Sequence, residues 1–248
     1  MLLTVDIGNT SIHNGIFKGR TLKRVFRIST YARNPRKEYI NNIRPYLHEI
    51  ECIIIVSVAP KVLKEIVALL RKILDRRIFI VGKDLDAGVK NLYRHPSQVG
   101  QDRLVNARAA YDLYGGESII VDFGTAITID IVNRKREYLG GVIAPGVEIS
   151  LKALSERAAL LPKMTLKKPH GILGRETLES MTSGTVYGFS SLCDGIVTRL
   201  KKRYCRDSRV IATGGMSPLV ASYCETVDRI DPELTLKGLR LIGEGCCV

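Results

Sequence analysis

The sequence has no Cys-x-x-Cys pair; its six cysteines stand at 52, 193, 205, 224, 246 and 247. Its four histidines, His13, His48, His95 and His170, are scattered, and no two are four residues apart. A structural zinc site needs clustered ligands of these kinds, so none is expected. No apolar run approaches the roughly 20 residues of a membrane span. The opening Met-Leu-Leu-Thr-Val-Asp has no basic stretch and meets an acid at Asp6, so a first strand is expected there rather than a signal peptide. Reduced thiols in a cytoplasmic protein are the matching expectation, with Cys246 and Cys247 as unpaired tail thiols. Neither a Walker A loop nor a Rossmann glycine pattern occurs, which excludes two common phosphate-binding sequences.

What is present fits a globular chain. Of 248 residues, 45% are apolar and 25% charged, and the length predicts one or two domains. The formal net charge is +13, which raises nucleic acid as a partner. The excess is uneven: residues 1–115 hold 20 basic and 10 acidic side chains, residues 116–248 hold 18 and 15. Seven Lys or Arg and no acid fall between Arg20 and Lys37. A second group, with Lys61, Lys64, Arg71 and Lys72, lies opposite helically spaced Val62, Ile66, Leu69, Leu70 and Ile73, and reads as the solvated face of an amphipathic helix. Aromatics for base stacking are not interleaved with these charges, so specific nucleic-acid binding is not expected. Steering of anionic substrates is a simpler use for them.

Two segments resemble each other about half the chain apart. Leu2-Leu3-Thr4-Val5 leads into Asp6-Ile7-Gly8-Asn9-Thr10, and Ile119-Ile120-Val121 leads into Asp122-Phe123-Gly124-Thr125-Ala126. Each is an apolar strand, an Asp-x-Gly turn, a second strand, a polar turn and a third strand. Later elements also agree. Helical stretches near 36–49, 60–74 and 97–113 and strands at 52–58 and 78–81 complete the first half. Helices at 146–159, 175–205 and after Ser217, a strand at 210–213, and a last strand and helix complete the second. A duplication at 1–115 and 116–248 follows: an α/β fold of RNase H-like domains with mixed sheets, expected to face each other across a nucleotide cleft.

The repeated turn has a chemical use. Gly8 lets the backbone approach a phosphate, Asn9, Thr10 and Ser11 offer short donors, and Asp6 can hold Mg²⁺ directly or through water. Asp122 to Thr125 offers a second such turn, and Ala212-Thr213-Gly214-Gly215 would let a flat base approach the backbone. This is the pattern of the actin, sugar-kinase and heat-shock ATPase superfamily. Gly100-Gln101-Asp102-Arg103, Gly140-Gly141-Val142-Ile143-Ala144-Pro145-Gly146, Thr177, Ser183-Gly184 and Asp231-Pro232-Glu233 occur in order with these motifs. Together the set closely resembles the type III pantothenate kinase family, from residue 2 to about 242.

The resemblance implies ATP-dependent phosphorylation of pantothenate, the first step toward coenzyme A, by a homodimer that requires Mg²⁺ and a monovalent cation, K⁺ or NH₄⁺. It assigns Asp6, Ile7, Gly8, Asn9, Thr10, Ser11, Ile12 and His13, with Thr125, to ATP. It makes Asp102 the general base and gives Tyr93, Gly100, Gln101, Asp102, Arg103 and Thr177 to pantothenate. Asp122 would bind the monovalent cation. Two residues depart from the family pattern: Gln101 stands where Ala is common, and Glu176 where Asn is common. Read alone, Asp102 would be a surface acid, Thr177 a helix N-cap and Tyr93 a packing residue. A sugar or acetate kinase, and a nucleic-acid-binding regulator on the same fold, are the rival readings.

Overall fold

The computed structural model describes residues 1–246 and divides into two compact units, Met1–Ala109 with the segment from Leu234 onward, and Ala110–Glu233. The first begins with a meander, β1 (Leu2–Ile7), β2 (Ser11–Lys18) and β3 (Thr21–Ser29). Helix α1 (Pro35–Ile43), β4 (Cys52–Ser57), α2 (Pro60–Leu74), β5 (Arg77–Ile80) and a two-residue β6 (Lys90–Asn91) follow. Strands β1 to β5 form one sheet in the order β3-β2-β1-β4-β5, antiparallel within the meander and parallel from β1 through β5. Helix α3 (Gln101–Tyr114) begins in the first unit and ends in the second.

The second unit repeats the plan. Strands β7 (Ser118–Phe123), β8 (Ala126–Val132) and β9 (Glu137–Pro145) form its meander. Helices α4 (Val147–Arg157) and α5 (Thr177–Tyr204), β10 (Arg209–Thr213), the short α6 (Ser217–Val220) and β11 (Arg229–Ile230) follow. Its strands run β11-β10-β7-β8-β9, again antiparallel in the meander and parallel from β7 through β11. Even the irregularities correspond. Both meanders carry a register shift between second and third strands, at Ile16/Phe17 and Ile131/Val132. Two mixed sheets of equivalent order are the duplicated architecture that the sequence predicts.

The strand at the centre of each sheet is buried on both faces. Leu3, Val5 and Ile7 join Ile66, Leu70 and Leu74 of α2 and Tyr39 and Ile43 of α1 in one core. Tyr39 is pinned there: its hydroxyl donates to Asn14 Oδ1 at 2.9 Å, and its ring meets Phe26 edge-on. In the second unit Ile119, Val121 and Phe123 pack with Val147, Cys193 and Val197. Lys61, Lys64, Arg71 and Lys72 are exposed, as the amphipathic reading of α2 requires. The seven cations of residues 20–37 are exposed too, several of them on β3, an edge strand. Charge on an edge strand hinders association with another sheet.

Departures are local. The helix expected over 36–49 ends at Ile43 and tightens into a 3-10 turn, Arg44–Tyr46, around Pro45. The helix expected from 97 starts at Gln101, after a separate turn at Pro96–Gln98. The last helix, α7 (Leu234–Ile242), falls in the second half by the sequence boundary at 115/116 but packs with the first unit. Leu236 lies against Gly15, and the close approaches of Gly238 to Val105 and of Gly243 to Ile54 leave no room for a Cβ. Cys193, Cys205, Cys224 and Cys246 are free thiols, Cys52 is disulfide-bonded against the expectation of reduced thiols throughout, and Cys247 lies outside the described residues.

Candidate active site

In the first unit the β1–β2 hairpin is closed by Gly8 N–H donating to the Ser11 carbonyl at 3.0 Å. Thr30 braces it, its N–H on the Thr10 carbonyl and its hydroxyl on the Gly8 carbonyl. Asn9 and Thr10 are exposed at the tip, while Asp6, Gly8 and Ser11 are half-buried beneath it. Ile7 and Ile12 bury their side chains in the core, so only their backbone can serve a nucleotide. His13 lies within β2 rather than in the turn, directly across from Asp6, with Nε2 buried and unpartnered. Burial, then the neighbouring Arg27, lower its pKa to about 4, so the ring is neutral near pH 7.

Asp102 stands in the first turn of α3, where a negative charge suits the helix terminus. Its carboxylate accepts the Arg103 N–H at 2.9 Å and lies so close to Gly100 that a Cβ there would sit 2.4 Å from Oδ1. The same Cβ would meet Val58, whose N–H donates to the Ile7 carbonyl. The start of α3 therefore neighbours the end of β1 that carries the Asp6 turn. Gln101 points elsewhere, its side chain lying against Gly82, which has φ +84°. Arg103 is buried, and Tyr93 is half-buried with its N–H on Asn91 Oδ1.

In the second unit Gly124 N–H closes the matching hairpin on the Ala126 carbonyl at 3.2 Å. Gly146 at the start of α4 touches the Thr125 carbonyl, so that turn is held from behind. Asp122 is half-buried and pairs in register with Thr213 of β10, whose hydroxyl oxygen is buried with no hydrogen-bond partner. Sequence reading gave the glycines of 214–215 to a flat base. Gly214, at φ +89°, also makes room within the chain: a Cβ would fall 2.3 Å from Asp122 Oδ1 and 2.7 Å from Phe123 backbone atoms. The Asp122 environment thus includes Thr213 and Gly214, which motif reading kept apart from it.

Thr177 is the first residue of α5, exposed; the N-cap is Glu176, with no side-chain cap bond, so the N-cap reading of Thr177 does not hold. It borders a cavity of about 790 Å³ with Arg175, Glu176 and Ser180 on its polar side and Leu151, Leu154, Leu161, Met181 and Phe189 on its apolar side.

A family model described as type III pantothenate kinase matches residues 2–199. The type III pantothenate kinase of Moorella thermoacetica is 39% identical, covering 98% of this chain and 99% of that one. That of Acidothermus cellulolyticus is 43% identical, covering 98% of each. Among solved structures, a Campylobacter jejuni protein described as a Baf family transcriptional activator is similar with a TM-score of 0.61 at 21% identity, over 98% of this chain and 97% of that one. The ROK hexokinase of Thermus thermophilus is similar with a TM-score of 0.51 at 14% identity, over 97% of each. At those identities the two structures show a shared fold and nothing about gene regulation or hexoses. The family model and the relatives near 40% identity over almost the whole chain show that it belongs to the type III pantothenate kinase family.

Proposed function

We propose that this chain transfers the γ-phosphoryl group of ATP to the primary hydroxyl of pantothenate, the first step of coenzyme A synthesis. The observation that carries the reading is the Gly100–Arg103 turn, with its carboxylate seated against a glycine beside the Asp6 hairpin, in a chain of this family. Asp102 accepts the hydroxyl proton as the substrate oxygen attacks phosphorus and the bond to ADP breaks. Arg103 positions pantothenate by a charge-assisted hydrogen bond, and Tyr93 and Thr177 border the substrate. Asn9, Thr10, Ser11 and the backbone of Asp6 to His13 hold the ATP phosphates, with Thr125 on the same nucleotide.

The residues fit the cations that the family implies. Asp6 is a carboxylate beside a phosphate-type turn, which suits Mg²⁺ held directly or through water. Asp122, with the unpartnered Thr213 hydroxyl in register and glycines clearing its carboxylate, is an oxygen donor set for K⁺ or NH₄⁺. Such cations supply positive charge against the charge that develops on the transferring group. Exposed Leu160, Ile172 and Leu173 in the second unit support a homodimer. No helix among the described residues is long and apolar enough to cross a membrane, in keeping with a cytoplasmic enzyme.

Pantothenate-dependent ADP release is the test. Turnover is expected with pantothenate and not with a panel of sugars or acetate, in K⁺ or NH₄⁺ buffer and much less in Na⁺ buffer. Sugar-dependent turnover would overturn the substrate, and equal turnover in Na⁺ would overturn the role of Asp122.

A further inference from the structure

Away from these residues, three ligand atoms cluster in the second unit. Cys193 Sγ, Cys224 Sγ and a carboxylate oxygen of Asp194 lie within 4.8 Å of one another. Cys193 is fully buried on the core face of α5, and Cys224 is half-buried just after the 3-10 turn Ala221–Tyr223. The two sulfurs come from elements about thirty residues apart, so their meeting is a product of the fold.

The carboxylate has other work. Asp194 Oδ2 accepts the Glu225 N–H at 2.9 Å, and Oδ1 accepts both the Thr226 N–H at 2.9 Å and the Thr226 hydroxyl at 2.6 Å. Tyr187 and Tyr223 meet edge-on nearby, their ring centroids 5.2 Å apart. These contacts hold residues 223–226 against α5 and keep Cys224 over Cys193. The trio is therefore a thiol pair beside a capping carboxylate rather than a metal centre with three uncommitted ligands.

We infer that Cys193 and Cys224 are a modification site, closing to a disulfide between α5 and the segment after α6 when a low-molecular-weight disulfide such as glutathione disulfide is present. The half-exposed Cys224 reacts first: its thiolate attacks one sulfur of the oxidant, that S–S bond breaks, and one glutathione thiolate leaves. Cys193, held near its partner, then attacks Cys224 Sγ and expels the second glutathione, which carries off the proton. The two protein thiols lose two electrons and two protons, and the oxidant gains them as two thiols. The hydrogen bond with the adjacent Cys224, then burial, push the Cys193 thiol up, which fits its role as the second rather than the first nucleophile. Closure needs side-chain rotation to bring the sulfurs to bonding distance.

The bond would join the helix that begins at Thr177 to the segment that follows Thr213–Gly215, closing a loop of about thirty residues. On the chain-entropy account, a loop of that size raises the thermal midpoint of a chain this long by roughly 5–10 °C. The full-length protein is treated with glutathione disulfide, its remaining thiols are alkylated, and unreduced peptides are mapped. The expected result is a cross-linked peptide pair containing Cys193 and Cys224, with a raised midpoint that dithiothreitol reverses. C193S and C224S should each lose both the cross-link and the rise; should either fail to fold, the wild-type map decides alone. Alkylation of both thiols after the treatment, a Cys224–glutathione adduct that never resolves, or stoichiometric zinc retained by the pair after incubation with Zn²⁺ would each overturn the inference.

Discussion

At the scale of single residues, Asp102 and His13 answer to different measurements. Asp102→Asn keeps the size and hydrogen-bonding reach of the side chain at the start of α3 but cannot take up the substrate proton. It should bind ATP normally and lose about 10²–10⁴-fold in kcat, as removal of a general base does; retention of half the wild-type rate would remove Asp102 from that role. His13 is a matter of stability. Its pKa in the folded protein is about 4, against 6.5 for an ordinary imidazole. Between those values the unfolded chain binds a proton that the folded chain refuses, so stability falls as pH drops through 6.5 toward 4. The group accounts for roughly 2 kcal/mol of stability lost between pH 7 and pH 5. Denaturant midpoints at the two pH values should therefore draw closer together in His13→Gln than in the wild type.

At the scale of elements, the turns repay separate comparison. Gly214→Ala would place a Cβ at 2.3 Å from the Asp122 carboxylate on a backbone with φ +89°. A cost of at least about 1–3 kcal/mol is expected from the conformation alone, together with a weakened K⁺ response as Asp122 is displaced. Gly195→Ala, on the exposed face of α5 with nothing near its Cβ, should instead gain up to about 1 kcal/mol. Thermal melts of the two variants should move in opposite directions. The hairpins were legible in the sequence because a strand that ends in Asp-x-Gly carries its chemistry locally, and the repeat pointed to two mixed-sheet halves of the same plan, though not to the order of their strands. Gln101 against Gly82, Gly214 against Asp122 and Cys193 beside Cys224 were not legible. Each joins residues from different elements, and no periodicity within either element records the partner. Thr177 shows the local version of the problem, since an exposed Thr before a helical run suits the N-cap and the first turn equally well.

At the scale of the whole molecule, the helix α7 decides the integrity of the first unit. Leu234, Leu236 and Leu239 are fully buried, and burying each such side chain contributes about 1.5–3 kcal/mol. Together they rival the 5–15 kcal/mol by which a protein of ordinary stability is folded. A chain ended before Leu234 should be recovered mostly as aggregate, and any soluble fraction should show reduced near-ultraviolet circular dichroism; a soluble, native-like product would show that the first unit stands without α7. The same feature sets a schedule on the ribosome. The first unit leaves the exit tunnel before the second, yet its closing helix is made only after the second. At roughly 5–20 residues per second, synthesis of Ala110–Glu233 takes on the order of ten seconds. Throughout that interval the face of β1, β2 and β4 that α7 will cover stays open, while the cations exposed along the edge strand β3 discourage other chains from adding to the sheet. The half that is made first is finished last.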